Sequence, residues 1–148
     1  MSSPESNFEA WLRKAEHDLL NIENNLAAKD IPWDTVCFHA QQVAEKVLKA
    51  FLVHRGRDLT KTHDLVALLA QCVACDEGLA VLEDDCRKLT SYGVAARYPD
   101  DLFEPEETDG RDVVAAGRVD GRRVARGLGR RQRAPGRAVV GRHLDRQR

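Results

Sequence analysis

The strongest constraint on the fold is the spacing of apolar residues between Trp33 and Phe51. Apolar side chains recur there every three or four residues, which is the repeat of an α-helix with one buried face. The residues on this stripe are Trp33, Val36, Cys37, Ala40, Val43, Ala44, Val47, Leu48 and Phe51. No segment of the chain alternates apolar and polar residues as a β-strand does. The sequence therefore predicts an all-α fold with this helix at the centre of the core.

A second amphipathic stripe precedes the central helix and predicts another helix over residues 7–28. Ser6 and Glu9 have the spacing of a capping box at its start, in which each side chain satisfies a backbone amide of the first turn. Asp18 falls on the side of this helix that is expected to face water, and it carries no functional signal by itself.

The remaining helix boundaries follow from capping residues and breaks in the apolar pattern. The central helix is expected to end near Arg55, with Gly56 as a left-handed cap. Thr62 can cap a third helix, a fourth is expected to end near Gly93, and the acidic segment 104–108 can start a fifth. Amphipathic helices joined by short links favour an antiparallel up-and-down bundle of four to five helices.

The charge of the chain divides near residue 110. Residues 1–110 hold 11 Lys and Arg against 21 Asp and Glu, a formal charge of −10, whereas residues 111–148 hold 12 Arg against 3 Asp, a formal charge of +9. The second segment uses only amino acids whose codons can begin with G or C. A GC-rich gene read in a shifted frame produces such an alphabet. We therefore predict a helical bundle over residues 1–110, followed by an Arg/Gly-rich tail over residues 111–148 that is in a non-native frame or disordered.

The alternative for residues 111–148 is a genuine basic tail that binds nucleic acid, because clustered positive charge attracts phosphates regardless of base sequence. Such tails usually interleave aromatic residues or Ser, and this segment has neither. Its 6 glycines and the lack of a sustained apolar stripe predict that no stable helix forms there.

The cysteines and the absence of targeting signals indicate a cytoplasmic protein without a metal. No apolar run reaches the length of a membrane span, and the N-terminus lacks a signal-peptide pattern. In a reducing compartment disulfides are not expected. Cys72 and Cys75 have the spacing of half a zinc site, but no second ligand pair accompanies them. Cys37, Cys72 and Cys86 fall on apolar helical positions and are expected in the core, so no metal or cofactor is expected.

Several motifs, in order along the chain, resemble the HEPN domain family. They are "WLRKAEHDLLNIENNL", "FHAQQVAEKVLKAFLVHRG", "KTHDLVALL" and "YGVAARYPD", and the resemblance spans residues 11–109. The resemblance implies a helical bundle that is often a homodimer and is frequently encoded beside a small nucleotidyltransferase, as a toxin–antitoxin-like pair. It also implies an association with nucleotides or RNA, and many relatives are metal-independent ribonucleases.

The ribonuclease members resemble one another in an Arg followed four to six residues later by a His. Arg97 in "ARYPD" stands at the position of that Arg, but no His occurs between His63 and His143. Arg57 and His63 have a comparable spacing, although they lie in the loop before the third helix and not at the family's usual place. Arg97, Arg57 and His63 are therefore catalytic candidates only, and the sequence favours a protein that is not an enzyme.

The polar side of the central helix is the other candidate site. His39, Gln42, Lys46 and Lys49 lie at three- and four-residue steps and share one face. Gln41 and Glu45 make another row, and Glu45 can pair with Lys49. This face is either a solvated surface or a binding surface for an anionic ligand, with Lys46 as the point charge. Arg97 and His63 can join this face if the bundle brings their ends near it, and Tyr98, beside Arg97, can stack a base.

Three functions remain open at this point. The chain can be a nucleotide- or RNA-associated module that partners a nucleotidyltransferase, a metal-independent ribonuclease toxin, or a non-catalytic helical dimerisation module. The acidic body favours a protein partner or a single small nucleotide, because a charge of −10 over residues 1–110 repels a phosphate backbone at long range.

Overall fold

In a computed structural model, residues 7–97 and 105–146 are described, with side chains for residues 7–92 and 105–128 except Val119. The described chain forms five α-helices and one short 3-10 helix, and it contains no β-strand within these ranges. The elements are α1 (Phe8–Leu26), α2 (Trp33–His54), α3 (Leu65–Cys75), the 3-10 helix (Glu77–Leu82), α4 (Glu83–Arg97) and α5 (Glu107–Arg146). The prediction of an all-α bundle is therefore confirmed.

Helix α2 is the central element of the bundle. It packs against α1, α3, α4 and α5, and its apolar stripe forms the largest part of the core. Val36, Cys37, Ala40 and Phe51 are each at most 1% exposed. The apolar repeat of the sequence therefore identified the helix that organises the fold.

Short polar side chains fix the ends of the helices around α2. The carboxamide of Asn7 accepts hydrogen bonds from the first amides of α1, so Asn7 is the cap of that helix, while Ser6 lies outside the described residues. Helix α3 is capped by Asp64, not by Thr62 as the sequence suggested. Thr62 supports this cap, because its hydroxyl accepts from the Asp64 amide at 3.1 Å. Gly56 follows α2 with φ 69°, which confirms the expected left-handed turn.

The fourth predicted helix divides in two. Asp76 accepts a hydrogen bond from the Gly78 amide at 3.0 Å and starts the 3-10 helix, which buries Leu79 and Leu82. Helix α4 then runs past Gly93 to Arg97. No helix in the described part of the chain is long and apolar enough to cross a membrane.

Helix α5 contradicts the expectation that residues after 111 form no stable helix, since it extends to Arg146. The glycine content that disfavours an isolated helix is offset here by packing against α2 and α4. Gly110 shows how close this packing is, because a Cβ atom there would lie 2.3 Å from the Trp33 ring. The helix also buries Val113 and Val124. Whether residues 111–148 are in the native frame stays a prediction.

The cysteine prediction is confirmed for three positions. Cys37, Cys72 and Cys86 are free thiols buried in the core. Burial raises the pKa of Cys37 and of Cys72 to about 12, so both thiols stay protonated at neutral pH. A protonated, buried thiol is a poor nucleophile and a poor metal ligand. These cysteines therefore act as small core residues.

Candidate functional site

The candidate site is organised by Asp18, which the sequence did not single out. Asp18 lies on α1, with its side chain only 8% exposed, and contacts two side chains of α2. One carboxylate oxygen accepts from Nδ1 of His39 at 2.7 Å, and the other accepts from Nζ of Lys46 at 2.5 Å. The expectation that Asp18 faces water is wrong, because it joins Ala15 and Ile22 on the buried side of α1.

The two hydrogen-bond partners of Asp18 explain why a carboxylate is stable at this buried position. Taking a charge out of water is costly unless an opposite charge and hydrogen bonds compensate it. His39 and Lys46 provide both, and each keeps about a fifth of its side chain exposed, 20% and 19%. Since Nδ1 of His39 donates to the carboxylate, its Nε2 is the ring nitrogen that remains for another partner. Asp18 therefore holds two polar groups side by side at the edge of the bundle.

A second carboxylate, Glu45, organises a neighbouring cluster on α2. Its side chain is 4% exposed and accepts from Nδ1 of His63 at 2.9 Å, from Nε2 of Gln41 at 3.3 Å and from Nζ of Lys49 at 3.3 Å. Burial alone raises the pKa of Glu45, but the His63 hydrogen bond and the charge of Lys49 outweigh it and hold this pKa below its ordinary value. Glu45 therefore stays charged and ties α2 to the residue that precedes the cap of α3.

Two glutamines extend this cluster along the polar side of α2. The side-chain amide of Gln41 also donates to the backbone carbonyl of His63 at 3.2 Å. The side-chain amide of Gln42 donates to the side-chain oxygen Oε1 of Gln41 at 2.7 Å. Lys49 lies over the ring of Trp11 of α1, 5.3 Å from its centroid. The polar stripe of the sequence is thus two carboxylate-centred clusters, one reaching α1 and the other reaching the loop before α3.

The structure brings some of the predicted ligand-binding residues together. His39 and Lys46 both donate hydrogen bonds to Asp18. Gln42 lies between them on α2 and is hydrogen-bonded to Gln41. Arg97 is the last residue of α4, but its side chain is outside the described part of the chain, as is all of Tyr98. The participation of Arg97 and Tyr98 in this site therefore stays a prediction.

The catalytic candidates Arg57 and His63 both lie on the loop between α2 and α3. Arg57 is exposed just beyond the end of α2. His63 is 61% exposed at its side chain, and its Nδ1 is engaged by Glu45. The hydrogen bond to Glu45 gives His63 a structural role, and catalytic use of these residues stays untested. Among residues with described side chains, no group of three His, Cys, Asp or Glu is arranged to hold a metal ion.

Two further features lie where α5 meets the bundle. An apolar cleft of about 430 Å³ lies where α1, α2 and α5 meet, and its walls include Leu12 of α1, Val47 of α2 and Arg122 of α5. Asp120 of α5 is 2% exposed and accepts from the Cys86 thiol at 3.6 Å. Burial and the adjacent Asp85 carboxylate raise the pKa of Asp120 to about 8. Asp120 and the α5 wall of the cleft lie after the point at which the sequence changes composition.

Comparison with known proteins gives one match. The family model of the HEPN domain matches residues 8–118, which is most of the chain and includes α1 to α4 and the start of α5. Neither the curated proteins nor the solved structures contain a significant match. The matched segment contains both carboxylate-centred clusters.

Proposed function

Since the chain belongs to the HEPN domain family, we propose that it is a nucleotide- or RNA-associated HEPN module that works in complex with a nucleotidyltransferase, as one half of a toxin–antitoxin-like pair. The observation that carries the nucleotide part of this proposal is the placement of His39 and Lys46 by Asp18. The family resemblance of the sequence motifs supplies the class of partner protein.

The Asp18 cluster, which consists of Asp18, His39 and Lys46, is better equipped to bind an anionic ligand than to cleave RNA. Lys46 is a compact positive charge with three donors, of which Asp18 uses one. Cleavage of RNA requires a His that moves a proton close to a fixed cation at the scissile phosphate. Arg97, the residue that matches the family's Arg, has no His within the following six positions. Binding is therefore the function that this site supports.

The charge of the body supports a protein partner. Residues 1–110 carry a formal charge of −10, which opposes the approach of a long polyanion. A protein with a basic contact surface meets no such opposition, and a single nucleotide can be held by direct contacts alone. An acidic bundle with one localised donor pair therefore fits a complex in which the partner performs the nucleotidyl transfer.

The proposal is tested by capturing the tagged full-length protein from its native cells and identifying the captured proteins by peptide mass spectrometry. We expect a nucleotidyltransferase to be captured in stoichiometric amounts. A matched capture with an unrelated acidic helical bundle carrying the same tag controls for retention by charge. Intact bait that repeatedly captures no nucleotidyltransferase overturns the proposed complex. The expected homodimer is tested on the same preparation by light scattering.

A further inference from the structure

The arrangement of the Asp18 cluster determines the kind of ligand that it can bind. Its two groups for a ligand are Nε2 of His39, which donates when the ring is in its imidazolium form, and the remaining hydrogens of the Lys46 ammonium, and both groups are fixed by the two oxygens of one carboxylate. Because the two groups contact the same carboxylate, they are neighbours at the edge of the bundle, and a single compact anion is the kind of ligand that reaches both. Successive phosphates along a nucleic-acid strand are spaced too widely to meet at such a pair.

Charge also limits the ligand to one that binds by contact. The negative charge of Asp18 offsets the positive charge of Lys46, so the cluster attracts anions only weakly at a distance. Affinity must then come from short, charge-assisted hydrogen bonds to the ligand, which are strongest for an anion that presents several oxygens at one point. A terminal phosphate has three such oxygens and up to two negative charges, whereas an internal phosphodiester has two oxygens and one charge.

Gln42 adds a hydrogen-bond acceptor beside the two donors. Its amide nitrogen donates to Gln41 at 2.7 Å, and its carbonyl oxygen is not used in that bond. Because Gln42 lies three residues after His39 and four before Lys46, the three side chains occupy one face of α2. An acceptor at this place can bind a hydroxyl or amino group of the molecule that carries the phosphate.

We propose that His39 and Lys46, positioned by Asp18, bind the terminal phosphate of a single nucleotide, and that Gln42 accepts a hydrogen bond from its sugar or base. This inference rests on the proposed nucleotide association and specifies its ligand as a phosphate monoester. Asp18 is a positioning residue, because it acts through the two side chains that it holds and does not contact the ligand.

The experiment is calorimetric titration of the full-length protein with adenosine 5′-monophosphate, ribose 5-phosphate, inorganic phosphate and adenosine. We expect the nucleotide to bind and adenosine to bind at least about tenfold more weakly, since losing one charge-assisted hydrogen bond costs about that much affinity. Binding of inorganic phosphate and ribose 5-phosphate as tight as that of the nucleotide would remove the role assigned to Gln42. Equal binding of adenosine and the nucleotide would overturn the phosphate site.

Matched variants locate the site. Lys46→Gln is expected to weaken nucleotide binding about tenfold or more, while Lys29→Gln, the same change at an exposed lysine, leaves it unaltered. Circular dichroism checks that both variants keep the helical fold. An equal effect of the two substitutions, or tighter binding of an RNA oligonucleotide without terminal phosphates, would refute the proposal.

The role of Asp18 has its own readout. Asp18→Asn removes the carboxylate that holds the His39 ring, and nitrogen-detected NMR reports which ring nitrogen carries the hydrogen. In the absence of ligand we expect the neutral wild-type ring to carry its hydrogen at Nδ1 and to lose this preference in the variant. An unchanged tautomer in a folded variant contradicts the positioning role.

This inference and the proposed complex can fail separately. Loss of nucleotide binding with the nucleotidyltransferase still captured would overturn the phosphate site alone. Nucleotide binding that depends on Lys46, without capture of that partner, would overturn the complex alone.

Discussion

The carboxyl group of Asp120 makes the stability of the protein depend on pH in a direction unusual for an acid. Its pKa is raised from 3.8 to about 8 in the folded chain, because burial disfavours the charged form and Asp85 lies beside it. Between these two values the folded state binds a proton that the unfolded state has released. The free energy of unfolding therefore falls as the pH rises through this window.

The magnitude is large enough to decide the behaviour of α5. Each pH unit within the window lowers the free energy of unfolding by about 1.4 kcal/mol, so the full window amounts to an upper limit of about 6 kcal/mol. That is comparable with the whole stability of a small domain. Because Asp120 lies on α5 opposite Cys86 of α4, we expect the strain at high pH to be relieved by local separation of these two helices.

The perturbation that tests this is Asp120→Asn, which keeps the side-chain shape and removes the charge at every pH. Urea unfolding at pH 5, 6, 7 and 8 is expected to show a stability decline in the wild-type protein that is reduced in the variant. Histidines titrate in the same window, but they contribute equally to both proteins and cancel in the difference. Asp112→Asn, an exposed position on the same helix paired with Lys88, is the control and is expected to change stability by less than about 1 kcal/mol.

The result that refutes this reasoning is a parallel pH dependence of wild-type and Asp120→Asn proteins. Parallel slopes would mean that Asp120 ionises in the folded state as it does in the unfolded chain, and therefore that α5 does not bury it in solution.

The other predictions concern packing, catalysis and the reading frame. Gly110→Ala is expected to destabilise the protein by about 1–3 kcal/mol in urea unfolding, since the added methyl group would overlap the Trp33 ring. Gly127→Ala is the control, because Gly127 has open space around it and this substitution should be neutral or stabilising. Equal effects of the two substitutions would contradict the close approach of α5 to α2. Purified protein is expected not to cleave RNA, and cleavage that disappears in Arg97→Ala would instead establish the ribonuclease alternative. Peptide mass spectrometry of native cells should lack the peptides encoded by residues 111–148 as written, and their recovery would show that the Arg-rich tail is native.

The helices of this bundle could largely be predicted because their information is local. The apolar stripe of α2 repeats every three or four residues over five turns, and that repeat alone identified the helix at the centre of the core. Helix ends were harder, since Thr62 and Asp64 are both good caps and lie two residues apart. The start of the fifth helix was predicted from the acidic segment 104–108, but its continuation past residue 111 was missed, because glycine propensity is local whereas the contact of Gly110 with Trp33 depends on the tertiary fold.

The candidate site was predicted in part for the same reason. The spacing of His39 and Lys46 on one helix placed them on one face, but their common partner Asp18 belongs to another helix. A signal was present in the sequence, because Asp18 lies three residues after Ala15 and four before Ile22, on the stripe that α1 buries. The bond from His63 to Glu45 had no such signal, since it depends on the path of a loop.

The Asp18 contacts also make the site sensitive to the register between two helices. Sliding α1 along α2 by one helical turn would carry Asp18 by about 5.4 Å, which is enough to lengthen both of its hydrogen bonds beyond a useful range. His39 and Lys46 would then be released together, because one carboxylate holds both. A protein that binds α1 and displaces it along the bundle axis would therefore break the hydrogen bonds of Asp18 to His39 and Lys46 without contacting either of these two residues.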